Sequence, residues 1–410
     1  MIRPRQLKLV AKPKKLSKKR GSVRRDGLTV AGLFAGIGGI ERGLATSGHE
    51  TSLLCELDPA ARAVLDVRFP QVAEWDDVRT LRKLPPSVDV VTAGFPCQDL
   101  SQAGKTIGIE GSRSGLIGEV FRLVRRQPVP ILLIENVPFM LQLGRGKALD
   151  VIVSNLEDLG YRWAYRVVNS RAFGIPQRRE RVYLVALLDG DPRDVLFVDD
   201  EDEPTDSRSF REVACGFYWT EGLRGLGWAV DAVPTLKGGS TIGIPSPPAI
   251  IFPDGTVGKP DLRDVERLQG FPEDWTAPAE RVARRNARGK LIGNAVTVNS
   301  ATWLGRRLRG PGTYDPRGDL PVQVRSWWPR AAYNVGGGRM EAAVGAFPML
   351  IASQPLEAFL RHPVQPLSAR ATAGFLERTR RASLRFPDGF IAALERHLDR
   401  MTGATSRAVV

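Results

Sequence analysis

The chain is poor in the residues that hold metals and disulfides, with three cysteines and three histidines among 410 residues. Cys55, Cys97 and Cys215 lie far apart, so neither a disulfide framework nor zinc-ligand spacing is present, and no metal dependence is expected. Long apolar runs are missing too. None approaches a membrane span or a signal-peptide core, although 42% of the residues are hydrophobic. With 25% charged residues this is the composition of a globular protein, expected in the cytoplasm and away from any membrane. Acids are absent from residues 1 to 25, which hold eleven Lys or Arg. That arm accounts for most of the formal charge of +14 and leaves about +3 for the remainder. It can grip phosphates without sequence preference, or serve as a solvated tail or leader; Lys12 to Arg20 would also pass as a weak nuclear signal.

A chain of this length has room for one large domain or two to three modest ones. From Leu28 to about Leu188, short apolar strands alternate with helical stretches, the pattern of a doubly wound, mostly parallel sheet. Strands are expected at Leu28–Leu33, Ser52–Glu56, Val88–Ala93, Ile131–Ile134 and Arg181–Leu187. Helices are expected at Gly39–Ser47, Pro59–Phe69, Leu116–Arg125 and Ala148–Leu159. The character then changes: residues 189 to 206 contain nine acids and one arginine, and the stretch that follows is rich in Gly, Pro and Trp. The expected division is a basic tail over 1–26, an α/β domain over 27–188, an acidic linker and smaller irregular domain over 189–287, a return segment over 288–310, and a mainly helical extension over 311–410. In its last helix Phe390, Ile391, Leu394 and Leu398 share one face, with Asp388 as candidate N-cap.

Three groups of residues carry chemistry. Phe34-Ala35-Gly36-Ile37-Gly38-Gly39 follows the first strand, where glycines let a cofactor approach the backbone, and Glu56 ends the next strand, where an acid can accept from ribose hydroxyls. Alone, this turn leaves NAD, FAD, S-adenosylmethionine and a plain tight turn open. Cys97, in Gly94-Phe95-Pro96-Cys97-Gln98, stands just past a buried strand, at the carboxyl edge where ligands of such sheets bind; it is the best candidate nucleophile. Glu135-Asn136 and the run Gln177 to Arg181 come after or before strands, so all of these groups can meet at one edge. A glutamate on a ring nitrogen and an arginine on a carbonyl oxygen would make a heterocycle electrophilic toward a thiolate, a description of attack on a pyrimidine. A sheet-edge ion pair and an inert thiol are the plainer readings of the same residues.

These blocks, with Ser101, Glu135-Asn136-Val137 and Gly293-Asn294-Ala295-Val296, occur in one order from Leu28 to Leu308, and that order resembles the DNA (cytosine-5)-methyltransferase family. The resemblance implies a Rossmann-like catalytic domain that holds S-adenosylmethionine and releases S-adenosylhomocysteine. Phe34, Ala35, Gly36, Ile37, Gly38 and Gly39 would cradle the cofactor, Glu56 its ribose, and Asp77 and Val78 its adenine; Asn294, Ala295 and Val296 would complete the pocket. Cys97 would attack C6 of a cytosine turned out of the duplex, Glu135 would act at N3, and Arg181 with Arg179 would hold O2. Gln98, Ser101, Arg113, Gln177, Thr235 and Leu236 are expected on the DNA side, with Gln98 to Ser114 as a closing loop. A buried turn fits Thr235-Leu236 equally. The region 189 to 262 corresponds to a target-recognition domain, closed by Asp264 to Pro272; Trp219, Trp228 and Trp275 are expected in its core rather than on bases. The partners implied are double-stranded DNA and a cognate restriction endonuclease, and the chain is expected to be a monomer. The rival readings are a tRNA cytosine methyltransferase, a DNA-binding regulator on the same fold, and an NAD-linked oxidoreductase.

Overall fold

The computed structural model describes residues 27–96, 115–221, 223, 225–238, 247–284, 286–323 and 327–407. Its strands are β1 (Thr29–Leu33), β2 (Glu50–Cys55), β3 (Ala73–Trp75), β4 (Val90–Ala93), β5 (Ile131–Asn136), β6 (Arg162–Asn169), β7 (Gln177–Arg178), β8 (Glu180–Leu187), β9 (Cys215–Phe217), β10 (Ala229–Val230), β11 (Val233–Pro234), β12 (Ala249–Ile251), β13 (Val257–Lys259), β14 (Leu320–Pro321), β15 (Ala331–Asn334), β16 (Met340–Glu341) and β17 (Gln365–Pro366). Ten of them form one sheet in the order β14-β16-β15-β6-β8-β5-β4-β1-β2-β3. From β5 to β3 every ladder is parallel, whereas from β5 outward through β8, β6, β15, β16 and β14 every ladder is antiparallel. The sheet is therefore an α/β sheet with a parallel half and an antiparallel half. Both faces are covered, so its central strands are buried throughout, as parallel strands require.

The helices fall where periodicity places them, at Gly39–Thr46, Pro59–Arg68, Leu116–Arg126 and Lys147–Asp158. Local chemistry starts the second: Asp58 Oδ1 accepts from Ala60 N at 2.8 Å and Pro59 occupies the first turn, where its missing N–H is no loss. The Leu116–Arg126 helix buries Ile117, Val120, Phe121, Leu123 and Val124 on one face. Each fully buried side chain of that kind stabilises the fold by about 1.5–3 kcal/mol. Asp388 is not the cap of the last helix, Phe390–Arg407: Ala393 N bonds Gly389 O, which places the helix start after Gly389.

Two expected divisions of the chain are corrected by the packing. The acidic stretch does not hang free as a linker. Val195, Leu196 and Phe197 pack into the large domain, and the buried Arg166 of β6 donates to the carbonyls of Leu196 (2.9 Å) and Asp199 (2.7 Å) and pairs with Asp200. Nor is the segment beyond 310 one accessory unit. Its first part adds β14, β15 and β16 to the large sheet, with Ala331–Asn334 paired to β6. Its second part adds β17 to a smaller sheet, β10-β9-β12-β13-β17, and covers it with the Ala369–Arg380 and Phe390–Arg407 helices, so that Phe375, Phe390 and Leu394 share a core with Cys215, Phe217 and Ile251. Trp219 and Trp228 pack against that core, and Trp275 is buried against Ile37 and Phe271. A two-strand parallel ladder, β7 with β11, stitches the two domains together directly before Arg179.

Candidate active site

The carboxyl ends of β1, β4 and β5 converge. Glu135, at the end of β5, is 7% exposed; a methyl group on Gly94, just past β4, would lie 3.5 Å from its Oε2 and 4.0 Å from Phe34 O. Asn136 Nδ2 donates to Phe95 O at 3.0 Å, and the Phe34 and Phe95 rings meet edge to face at 6.3 Å. The strand leading toward Cys97 is thus fastened to the glutamate's own strand. Cys97, Gln98, Ser101 and Arg113 themselves lie outside the described residues.

Arg181 opposes Glu135, its Nε 3.0 Å from Oε1, with both side chains about one-tenth exposed. Burial lifts the Glu135 carboxyl above the ordinary range, while Arg181 and then Arg179 draw it back. Arg181 also lines a cleft of about 450 Å³, together with Pro138, Asn169, Arg178, Glu180, Glu203 and Thr235. A planar group entering there meets a guanidinium able to donate, with the Glu135 carboxyl paired to it.

Arg179 is placed differently. It is fully buried and donates to Leu236 O (2.7 Å), Gly293 O (3.1 Å) and Ala295 O (2.7 Å), and burial, then Arg181, pull its pKa down to about 9. Its Nη1 and Nη2 are committed to three backbone carbonyls, and its buried Nε has no partner. Gln177, also fully buried, donates to Leu268 O at 2.6 Å and accepts from Leu236 N at 3.1 Å; Leu236 is 2% exposed in an apolar cluster. Both were expected on the DNA side and are instead internal, because the turn they share is the joint between the domains. Thr235 reaches the cleft, with its Oγ1 donating to Arg178 O at 2.9 Å.

The glycine turn is strained in the way its sequence permits. Gly36 and Gly38 have φ of +56° and +78°, and Phe34, without that freedom, is held at +57°. Gly36 N donates to Glu56 Oε2 at 2.7 Å and Asp58 N to Oε1 at 2.8 Å, so Glu56 braces the turn. Its carboxylate is half-buried and keeps acceptor capacity. Above Gly36 the space is open, with nothing within 4 Å of the position a Cβ would take. The cradle fits a group that approaches the backbone closely. Gly39 is pressed on Val296, whose carbonyl would lie 2.7 Å from an added Cβ, so the Asn294–Val296 segment does adjoin the turn; Ala295 and Val296 are buried and Asn294 is exposed. Asp77 is engaged by Arg79, which holds its carboxyl below the usual range. The Val78 side chain, expected beside a cofactor, is instead 4% exposed in the main core.

Sequence reasoning passed over Glu41. On the helix after the glycine turn it is buried, accepts from Thr92 Oγ1 at 2.7 Å, and has no partner for Oε2; burial raises its pKa. Periodicity would assign that position to the buried face, which is the only signal it gives. The cleft residues Pro138, Asn169 and Glu203 were also missed, being scattered over separate segments.

The family model described as C-5 cytosine-specific DNA methylase matches residues 28–214. The Type II methyltransferase M2.BsuMI of Bacillus subtilis (strain 168) is 48% identical over 392 residues, covering 91% of this chain and 99% of its own. The Type II methyltransferase M.MspI of Moraxella sp is 30% identical over 312 residues, covering 71% and 74%. Among solved structures, the S. pombe Dnmt2 methyltransferase aligns with 68% of this chain and 97% of its own, at 19% identity and a TM-score of 0.48. With 48% identity over 91% of its length to a Type II methyltransferase and the family model matched at residues 28–214, the chain belongs to the C-5 cytosine-specific DNA methylase family.

Proposed function

We infer that this protein transfers a methyl group from S-adenosylmethionine to C5 of cytosine within a defined duplex DNA sequence. The observation that carries the reading is the Glu135–Arg181 pair, enclosed at a sheet edge beside an open glycine turn, with Arg181 lining a cleft. Family membership gives the pair its substrate, a cytosine ring, and removes the nicotinamide and tRNA readings. S-adenosylmethionine would be held by the Phe34 to Gly39 turn, Glu56 and the Asn294 to Val296 segment, and supplies an electrophilic methyl group.

The chain's own residues do the remainder. The Cys97 thiolate bonds to C6; Glu135, whose burial favours the protonated carboxyl, protects or donates a proton at N3; Arg181 donates to O2 and takes up the charge that develops there. Electron density then resides at C5, which accepts the methyl group. A base removes the C5 proton, the C6–S bond breaks, and the thiolate returns. C6 is inaccessible in a stacked duplex, so the target must be flipped into the cleft. Arg179 acts through the joint it holds, as a positioning residue. The protein would work as a monomer with a cognate restriction endonuclease, or alone.

Bisulfite sequencing of DNA from cells expressing the protein tests the reading, with a fixed sequence context of 5-methylcytosine expected. Cys97→Ser should bind S-adenosylhomocysteine and duplex DNA yet transfer no labelled methyl group. Full turnover by that variant would remove the nucleophile assignment, and a wild-type protein that binds DNA without labelling C5 would be a regulator.

A further inference from the structure

The active-site cleft does not end at Pro138. The same residue lines a second hollow of about 380 Å³, walled by Gln142, Trp327, Arg330 and Glu341. Arg330 ties the two together: its Nη2 is 2.7 Å from Glu180 Oε1, and Glu180 lines the first cleft. Beside this hollow stand two large exposed rings, Phe139 (57% exposed) and Trp327 (56% exposed). A lone exposed ring needs no explanation, but these two flank one basic turn.

That turn is built with care for its shape. Gly144, Arg145 and Gly146 all have positive φ (61°, 60° and 83°), and Trp328 pins them: its Nε1 donates to Gly146 O at 3.0 Å and its backbone N to Leu141 O at 3.1 Å. The Trp328 ring is itself anchored edge-on to buried Trp163 at 6.0 Å. The result is a fixed ledge that presents Arg145 and Lys147 to solvent beside Trp327. Arg145 and Lys147 are exposed on it, while Arg330 in the hollow is paired with Glu180 and Glu341 lines the same hollow.

We propose that this ledge, formed by Phe139, Arg145, Lys147, Trp327 and Arg330, seats the sugar–phosphate backbone of duplex DNA flanking the target cytosine. The proposal rests on the function inferred above, which requires a duplex at the mouth of the first cleft; the ledge adjoins that mouth through Pro138 and the Arg330–Glu180 pair, and so meets the same duplex farther along. Arg145 and Lys147 donate to phosphates, and the exposed rings pack on deoxyribose faces, contacts that set register without reading bases. Trp327 and Arg330 come from the C-terminal segment, which thereby gains a part in substrate binding.

The test compares binding of two duplexes centred on the methylated site, of about one and about two helical turns (10–10.5 base pairs each), by fluorescence anisotropy across a salt series. The wild type is expected to prefer the longer duplex by about tenfold, and Arg145→Ala/Lys147→Ala to lose that preference and flatten the salt slope by about 0.9 for each phosphate contact removed. Trp327→Ala should weaken the longer duplex about fivefold. Melting temperature should stay at the wild-type value in both variants. Equal binding of both duplexes by the wild type, or unchanged binding by the variants, overturns the proposal. So does a wild-type dimer that Trp327→Ala converts to monomer with DNA binding intact, since the ledge would then be a contact between copies. Because binding is read without turnover, absence of methylation on any duplex would strike the inferred function and leave the binding result legible.

Discussion

Two arginines two positions apart have opposite fates. Arg181 spends its guanidinium on Glu135 at the cleft, and Arg179 spends its own on three carbonyls from residues 236, 293 and 295. Arg181→Ala should therefore cut methyl transfer at least a hundredfold while costing about 1–2 kcal/mol of stability, because Glu135 can take up a proton when its partner is lost. Arg179→Ala should cost about 3–5 kcal/mol in denaturant unfolding, as it strands buried carbonyls, and should lose activity only in proportion to unfolding or to weakened substrate binding. A Glu41→Gln variant tests the other buried carboxyl. Its folded pKa is raised by burial, so the native state keeps a proton that the unfolded chain has released. Its contribution is full below the unfolded carboxylate range and falls as pH rises through the folded pKa, by about 1.4 kcal/mol for each unit of elevation. The variant should melt at a temperature less dependent on pH above the ordinary carboxylate range, and higher than wild type at the upper end.

At the level of elements, the parallel half of the sheet was legible because its strands are uniformly apolar and separated by helices with one buried face. β6 was not, since Arg162-Trp163-Ala164-Tyr165-Arg166 reads as mixed polarity, and the partners that explain a buried Arg166, the carbonyls of Leu196, Asp199 and Gly345 and the Asp200 carboxylate, come from distant segments. The outer strands β14, at the edge, and β16, next to it, are two residues long and carry no period at all. The site divided in the same way. Glycines, Glu56, Glu135 and Arg181 stood out because chemistry restricts them, but nothing local distinguishes Gln177 or Arg179, buried in the joint, from Arg178, which lines the cleft. That joint is tight enough to be tested at Gly293. A Cβ there would collide with the backbone of Lys237 and Gly238, so Gly293→Ala should cost about 1–3 kcal/mol and raise the KM for DNA, measured by methyl transfer, more than it lowers S-adenosylhomocysteine affinity in titration calorimetry.

On the scale of the whole molecule, the small domain depends on chain that arrives late. Asp264, fully buried, accepts from the backbone N–H of Arg361 (3.0 Å) and His362 (2.9 Å) and from Arg267 Nη1 (2.6 Å), locking the start of the last segment to the domain it completes. Asp264→Ala should lower the midpoint of urea unfolding by about 2–4 kcal/mol in equivalent free energy. Truncation after residue 350 should give insoluble protein, since Phe217, Ile251 and Phe210 lose the helices that cover them. The chain leaves the large domain after about residue 206, returns to it by Trp275, adds edge strands there, and departs again for β17. A small domain exchanged as one contiguous stretch would thus arrive without half of its own core. In this protein it can be traded between relatives only in two pieces, with residues beyond 350 travelling alongside those between 207 and 260.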